Sequence, residues 1–153
     1  MQLNILLMTN NLDQIYDEVI LNHCKNPRNN RTILNPNIIC KAINPFCGDE
    51  VNLELRSNSK NTILLVGIKS IGCAINQASS SMLSELIYGK TLTEIFRLYN
   101  IFDSMMKEKN VKENELNKLG ELNRLKIIKE HPIRIKCCLL SWKALVDEIN
   151  IYI

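Results

Sequence analysis

The apolar pattern of this chain changes period once, at a Gly-Cys pair near its middle. Val51, Leu53 and Leu55 alternate with Asn52, Glu54 and Arg56, the spacing of a strand with one buried face. After turn-forming residues at 57–61, a second β-rich run extends from Thr62 to about Ser70. Beyond Gly72-Cys73, residues Ile75, Ala78, Met82, Leu86 and Ile87 fall on one helical stripe, and Gly89 marks its stop. A hairpin followed directly by helices buries its apolar face against them. The expected fold is therefore α+β: a small three-stranded antiparallel sheet packed against several helices, with Ile38 and Ile39 supplying the third strand.

The remaining helix signals fit that plan. Asn11 caps a stripe of Leu12, Ile15, Tyr16, Val19 and Ile20, which ends near Lys25 because Pro27 biases Asn26 away from helical dihedrals. Thr91 and Glu94 form a capping box, so a helix starts there and runs to about Lys109. A polar connection over 107–115 leads to a shorter helix through Leu119, Leu122 and Leu125, and Pro132 interrupts it. Leu139, Leu140, Trp142, Leu145, Val146 and Ile149 define a terminal helix from about Lys136. With 153 residues the chain is expected to be a single domain, 1–153, in which 1–10 form a loosely ordered extension.

Composition narrows the classes. At 46% hydrophobic and 23% charged residues, the chain lies far from the disordered corner, and a net charge of +3 is too small to drive nucleic-acid or membrane-surface binding. No window approaches the ~18–20 apolar residues that span a bilayer. The opening MQLNILLM has neither a basic start nor a cleavage pattern, so a soluble, cytoplasmic protein is expected.

Six cysteines, at 24, 40, 47, 73, 137 and 138, then read as ligands, nucleophiles or buried thiols rather than disulfides. Cys47-Gly48-Asp49 precedes a strand, and the glycine lets a thiol and a carboxylate face one point. Cys73 sits at the first turn of a helix and Cys137 at the start of the terminal one, where unpaired N–H groups favour a thiolate. Three thiols and one carboxylate at element boundaries suit a tetrahedral Zn²⁺. The opposing reading, a small buried hydrophobe, holds about even odds for each of these alone and prevails at Cys24, Cys40 and Cys138.

Several separated stretches carry a resemblance. NPFCGDEVNLEL, GIKSIGCAINQASSSMLSELIYGK, RIKCCLLSWKAL and YDEVILNHCKNPRN are similar, in order and local context, to the SufU branch of the SufU/IscU/NifU N-terminal family of iron–sulfur assembly proteins, over residues 12–149. The resemblance implies a SufE/IscU-like domain. IscU scaffolds carry histidine directly before the third cysteine, whereas this chain has Lys136, and residues 101–132 look like the insertion of the SufU branch. Membership would imply zinc on Cys47, Asp49, Cys73 and Cys137, and sulfur acceptance from a PLP-dependent, SufS-like cysteine desulfurase, for delivery to a downstream iron–sulfur scaffold. Cys47 would be the acceptor, displaced from zinc by a histidine of the desulfurase. The alternative within the family is a scaffold holding iron or a transient [2Fe–2S] cluster on the same thiols.

Other residues divide between function and packing. Arg134 either steers a partner carboxylate or orients Asp49, against the reading of a solvated arginine. His23 at a helix end suits a structural hydrogen bond, and His131 a loop. Met82, Met105, Met106 and Trp142 read as core or partner-facing packing. Ser79, Ser80 and Ser81 read as small-residue helix packing with no base nearby. Cys138 stands where SufU-type proteins usually have a small residue, and so is able to compete for sulfur or metal.

Overall fold

The computed structural model describes residues 17–107 and 109–152, so the cap at Asn11 and the extension at 1–10 lie outside the described residues. Helix α1 (Glu18–Lys25) is capped by Asp17, whose carboxylate accepts from the Ile20 N–H at 2.9 Å. Leu12, Ile15 and Tyr16 of the expected stripe also lie outside the described residues, while Val19 and Ile20 fall on α1 and the helix ends at Lys25 as expected.

Strands β1 (Ile38–Ile43), β2 (Glu50–Ser57) and β3 (Ile63–Ile71) form an antiparallel sheet in the order β1-β2-β3. The expected hairpin and third strand are present. Ile38, Cys40, Val51, Leu53, Leu55, Ile63, Val66 and Ile68 point into the core, against α2 (Ala74–Ile87) and the terminal helix α5 (Pro132–Ile149). Within that layer Trp142 stacks on Phe102 with ring centroids 5.6 Å apart.

Helix α3 (Leu92–Met106) opens on the reciprocal capping box: Glu94 N–H donates to Thr91 Oγ1 and Thr91 N–H to Glu94 Oε2. It stops at Met106, short of Lys109, and the Lys107 side chain folds back onto Asp103 at 2.8 Å. A short α4 (Glu113–Leu116) leads into a 3₁₀ segment, Asn117–Glu130, kinked at Gly120 (φ +58°). The expected shorter helix is present, and it takes the tighter 3₁₀ form. Leu119, Leu122, Leu125 and Ile128 recur every third residue and all are buried. Three residues per turn is the period of a 3₁₀ helix, so this spacing keeps one edge facing the core.

Pro132 begins α5 instead of interrupting a helix, because a proline at the first helical position has no N–H to lose and a φ already suited to the turn. Cys137 consequently lies in the second turn of α5, and the expectation of a helix-start position is corrected.

Candidate metal centre

Strand register brings the cysteine loops together. Ile43 pairs with Glu50, and Glu50 with Ile71, so the β1–β2 loop and the exit from β3 emerge side by side. The loop is stapled by Asn44: its N–H donates to Asp49 O at 2.8 Å, its carbonyl accepts from Gly48 N–H at 2.8 Å, and its side-chain Oδ1 accepts from Phe46 N–H at 3.1 Å. Gly48 takes φ +74°, which turns the chain between Cys47 and Asp49. Asp49 is buried, at 1% exposure, whereas Cys47 is exposed.

Cys73 is the N-cap of α2. Its backbone N–H donates to Asp49 Oδ1 at 2.9 Å and its thiol to Asp49 Oδ2 at 3.4 Å. Cys137 reaches the same carboxylate from α5: one ligand atom from each of Cys47, Asp49 and Cys137 lies within 4.8 Å of the others. Cys73 is joined to this trio through Asp49.

Asp49 is the hub of the electrostatics. Burial pushes its carboxyl up, but the hydrogen bond from the Cys73 N–H and the neighbouring thiols of Cys137, Cys47 and Cys73 hold it below its ordinary value. Burial, then hydrogen bonds to Cys73 and Asp49, pushes the Cys137 thiol up. Cys137 thus stays a thiol near neutral pH until a cation offsets its burial. Three sulfurs and one oxygen are a donor set that zinc accepts, and Zn–S bonds of ~2.3 Å require ligand separations of about 3.5–3.8 Å. Among the described residues only the trio meets within 4.8 Å; Cys73 touches Asp49 at 3.4 Å but stands outside that mutual distance, so binding by all four ligands requires side chains to move.

The remaining candidates separate from this centre. Arg134 lies part-buried in the first turn of α5 and, among the described residues, makes no side-chain hydrogen bond or ion pair, so Asp49 is oriented by Cys73 instead. Cys138 is fully buried on the core side, Cys40 sits inside β1, and the Cys24 thiol donates to Ala74 O at 3.0 Å. His23 has the structural bonds expected of it, with Nδ1 2.7 Å from Ser81 Oγ. The same contact corrects the reading of the serine run, since Ser81 does have a base beside it, although it is buried in mid-helix. His131 serves the chain turn at α5.

Two functional features escaped the sequence reading. Gly72 (φ +128°) packs against Asp49 with no room for a side chain. Lys136 Nζ lies 5.2 Å from the ring centroid of Phe46, the residue before Cys47. The Cys47-Gly48-Asp49 motif pointed to the loop; no local signal pointed to the Lys136–Phe46 pair.

The family described as NifU-like N terminal domain matches residues 15–138. The chain belongs to that family. Among relatives of this NifU-like chain, the zinc-dependent sulfurtransferase SufU of Bacillus subtilis is 37% identical over 135 residues, 88% of this chain and 89% of the relative. The iron–sulfur cluster assembly scaffold protein IscU of Thermotoga maritima is 30% identical over 136 residues, 89% of this chain and 93% of that protein. The crystal structure of FiSufU from Fervidobacterium islandicum superposes with a TM-score of 0.81 at 34% identity, covering 89% of this chain and 97% of that one. The α+β expectation and the family resemblance both hold. Among the described residues, no helix of this NifU-like chain is long and apolar enough to cross a membrane.

Proposed function

We propose that this protein serves iron–sulfur cluster assembly as a zinc-dependent sulfur acceptor, taking persulfide sulfur from a PLP-dependent cysteine desulfurase and passing it to a downstream scaffold in the cytoplasm. The observation that carries this reading is the contrast within one centre: Cys47 is exposed on a glycine-containing loop while Asp49 and Cys137 beside it are buried. The 37% identical relative named as a zinc-dependent sulfurtransferase supports it.

Cys47, Asp49, Cys73 and Cys137 would hold the metal. Zinc, when bound, supplies the positive charge that keeps thiols ionised near neutral pH. Cys47 is the member able to meet a second protein. Its thiolate attacks the outer sulfur of the desulfurase persulfide; the S–S bond to the desulfurase cysteine breaks, that cysteine leaves as a thiolate, and Cys47 retains the sulfur as its own persulfide. Sulfur moves with no net oxidation. Asp49 and Cys73 stay in place, held by the 2.9 Å bond from the Cys73 N–H. Around Cys47, the exposed apolar residues Ile43, Phe46, Ile71 and Ile133 border the loop, the strand end and the helix that carry the donors, a surface suited to a protein partner.

The test is desulfurase turnover with and without this protein. Stimulation by the wild type and its loss in Cys47→Ala are expected; undiminished stimulation by the variant would remove Cys47 from the role. The scaffold reading is favoured by the IscU relative and rests on the same thiols. Anaerobic reconstitution separates the two, because a persistent cluster absorbs visible light and a zinc site does not.

A further inference from the structure

His23 is 1% exposed on α1, and its ring joins three elements. Nδ1 lies 2.7 Å from Ser81 Oγ on α2, while Nε2 faces two carboxylates: Glu121 Oε2 of the 3₁₀ segment at 2.5 Å and Glu85 Oε1 of α2 at 3.8 Å. One ligand atom from each of His23, Glu85 and Glu121 lies within 4.8 Å of the others. We propose that these three residues form a second cation site, separate from the thiol centre, that takes a divalent ion of the harder class such as Mn²⁺ or Fe²⁺.

The chemistry of Nε2 leads there. An imidazole nitrogen offers one hydrogen or one lone pair, so a proton on Nε2 serves Glu121 and leaves Glu85 beside a second carboxylate. Its nearest counter-charge is Arg28 Nε, at 3.8 Å. A divalent ion takes the nitrogen and both carboxylates together. Ser81 prepares the ring for it. Ser81 Oγ accepts from the Arg28 N–H at 2.8 Å and lies 2.7 Å from Nδ1, so an ion that displaces the Nε2 proton would find Nδ1–H donating to Ser81 and the Nε2 lone pair facing the carboxylates. A ligating histidine usually has its other nitrogen bonded in this way. One nitrogen with two carboxylate oxygens suits manganese or ferrous iron better than a thiol-seeking ion. The histidine is fixed, while Glu85 and Glu121 are half exposed and give the ion an entry path. Ligation would tie the 3₁₀ segment to α1 and α2.

The rival arrangement has the Ser81 hydroxyl donating to Nδ1 and Nε2–H donating to Glu121, a hydrogen-bonded clamp without a cation. Glutamine variants separate the two, because Glu85→Gln and Glu121→Gln keep the shape and an acceptor oxygen but lose the charge. Mn²⁺ is titrated into the zinc-loaded protein, free ion is counted by the EPR signal of aqueous Mn²⁺, and thermal midpoints are recorded in parallel. The expected result is one Mn²⁺ per chain and a midpoint that rises with Mn²⁺. Loss of a residue behind the ligands typically weakens a metal site about 10–100-fold. Each glutamine variant should therefore bind at least ~10-fold more weakly, and Ser81→Ala within that range, while zinc content stays unchanged. No binding of Mn²⁺ at millimolar concentration, or equal binding by wild type and both glutamine variants, would overturn the site.

Discussion

A β-carbon at Gly72 would stand 1.9 Å from Asp49 Oδ1 and 2.9 Å from its Cα. Side chain and backbone of Asp49 thus occupy the space that any residue other than glycine would need, and φ +128° at Gly72 is itself a conformation that L-residues avoid. Gly72→Ala should cost at least about 1–3 kcal/mol from backbone strain alone. It should also push Asp49 off the Cys73 N–H and lower zinc content. Urea melts and elemental analysis of the purified variant check both; a variant as stable and as metal-rich as the parent would contradict the packing.

Cys40 gives a prediction in the alkaline range. Burial, followed by the charge of Glu148, pushes its thiol from the ordinary 9.0 up to about 12. The unfolded chain releases this proton at lower pH than the folded one. The stabilisation is therefore fully present below about pH 9 and is lost as the pH rises through about 12. Cys40→Ala should flatten this part of the stability–pH curve in denaturant titrations. At pH 8, iodoacetamide should leave Cys40 unmodified in the folded protein while labelling the exposed Cys47 of metal-free chains, as read by peptide mass spectrometry.

The sheet, the capping box and the cysteine loops were legible in the sequence because each rests on local chemistry: the alternation of Val51, Leu53 and Leu55, the Thr91–Glu94 pair, the glycine between Cys47 and Asp49. What was misread depends on how a turn closes. Pro132 is compatible with either ending or opening a helix, and only packing of the Ile135–Ile149 stripe decides that it opens one, which moves Cys137 from the helix start to its second turn. The convergence on Asp49 was legible as a set of donor types, but not as a hub. The roles of Gly72 and Lys136 are set by residues 23 and 90 positions away in the chain, beyond the reach of any local pattern.

Leu119, Leu122, Leu125 and Ile128 are buried along one edge of the 3₁₀ segment. Leu125→Ala should cost about 2–5 kcal/mol, the usual range for deleting a buried leucine side chain. The exposed neighbour Lys126 should tolerate alanine within about 0.5 kcal/mol. If the segment were a loosely held connection, the two substitutions would be equivalent in a urea melt.

Phe46 is 87% exposed, yet its ring carries the Lys136 ammonium at 5.2 Å. A cation–π contact at such a site contributes about 0.5–1 kcal/mol, too little to hold the fold together but enough to bias a six-residue loop whose base is already stapled by Asn44. Its effect should therefore fall on Cys47 and not on the sheet. Lys136→Ala and Phe46→Leu should each leave the urea midpoint nearly unchanged. Alkylation of Cys47 in the metal-free chain should rise roughly two- to fivefold, the factor that 0.5–1 kcal/mol represents. Lys136→Arg, which keeps the cation over the ring, should restore the parent rate. Equal alkylation rates in all four proteins would show that the loop is positioned by Asn44 alone.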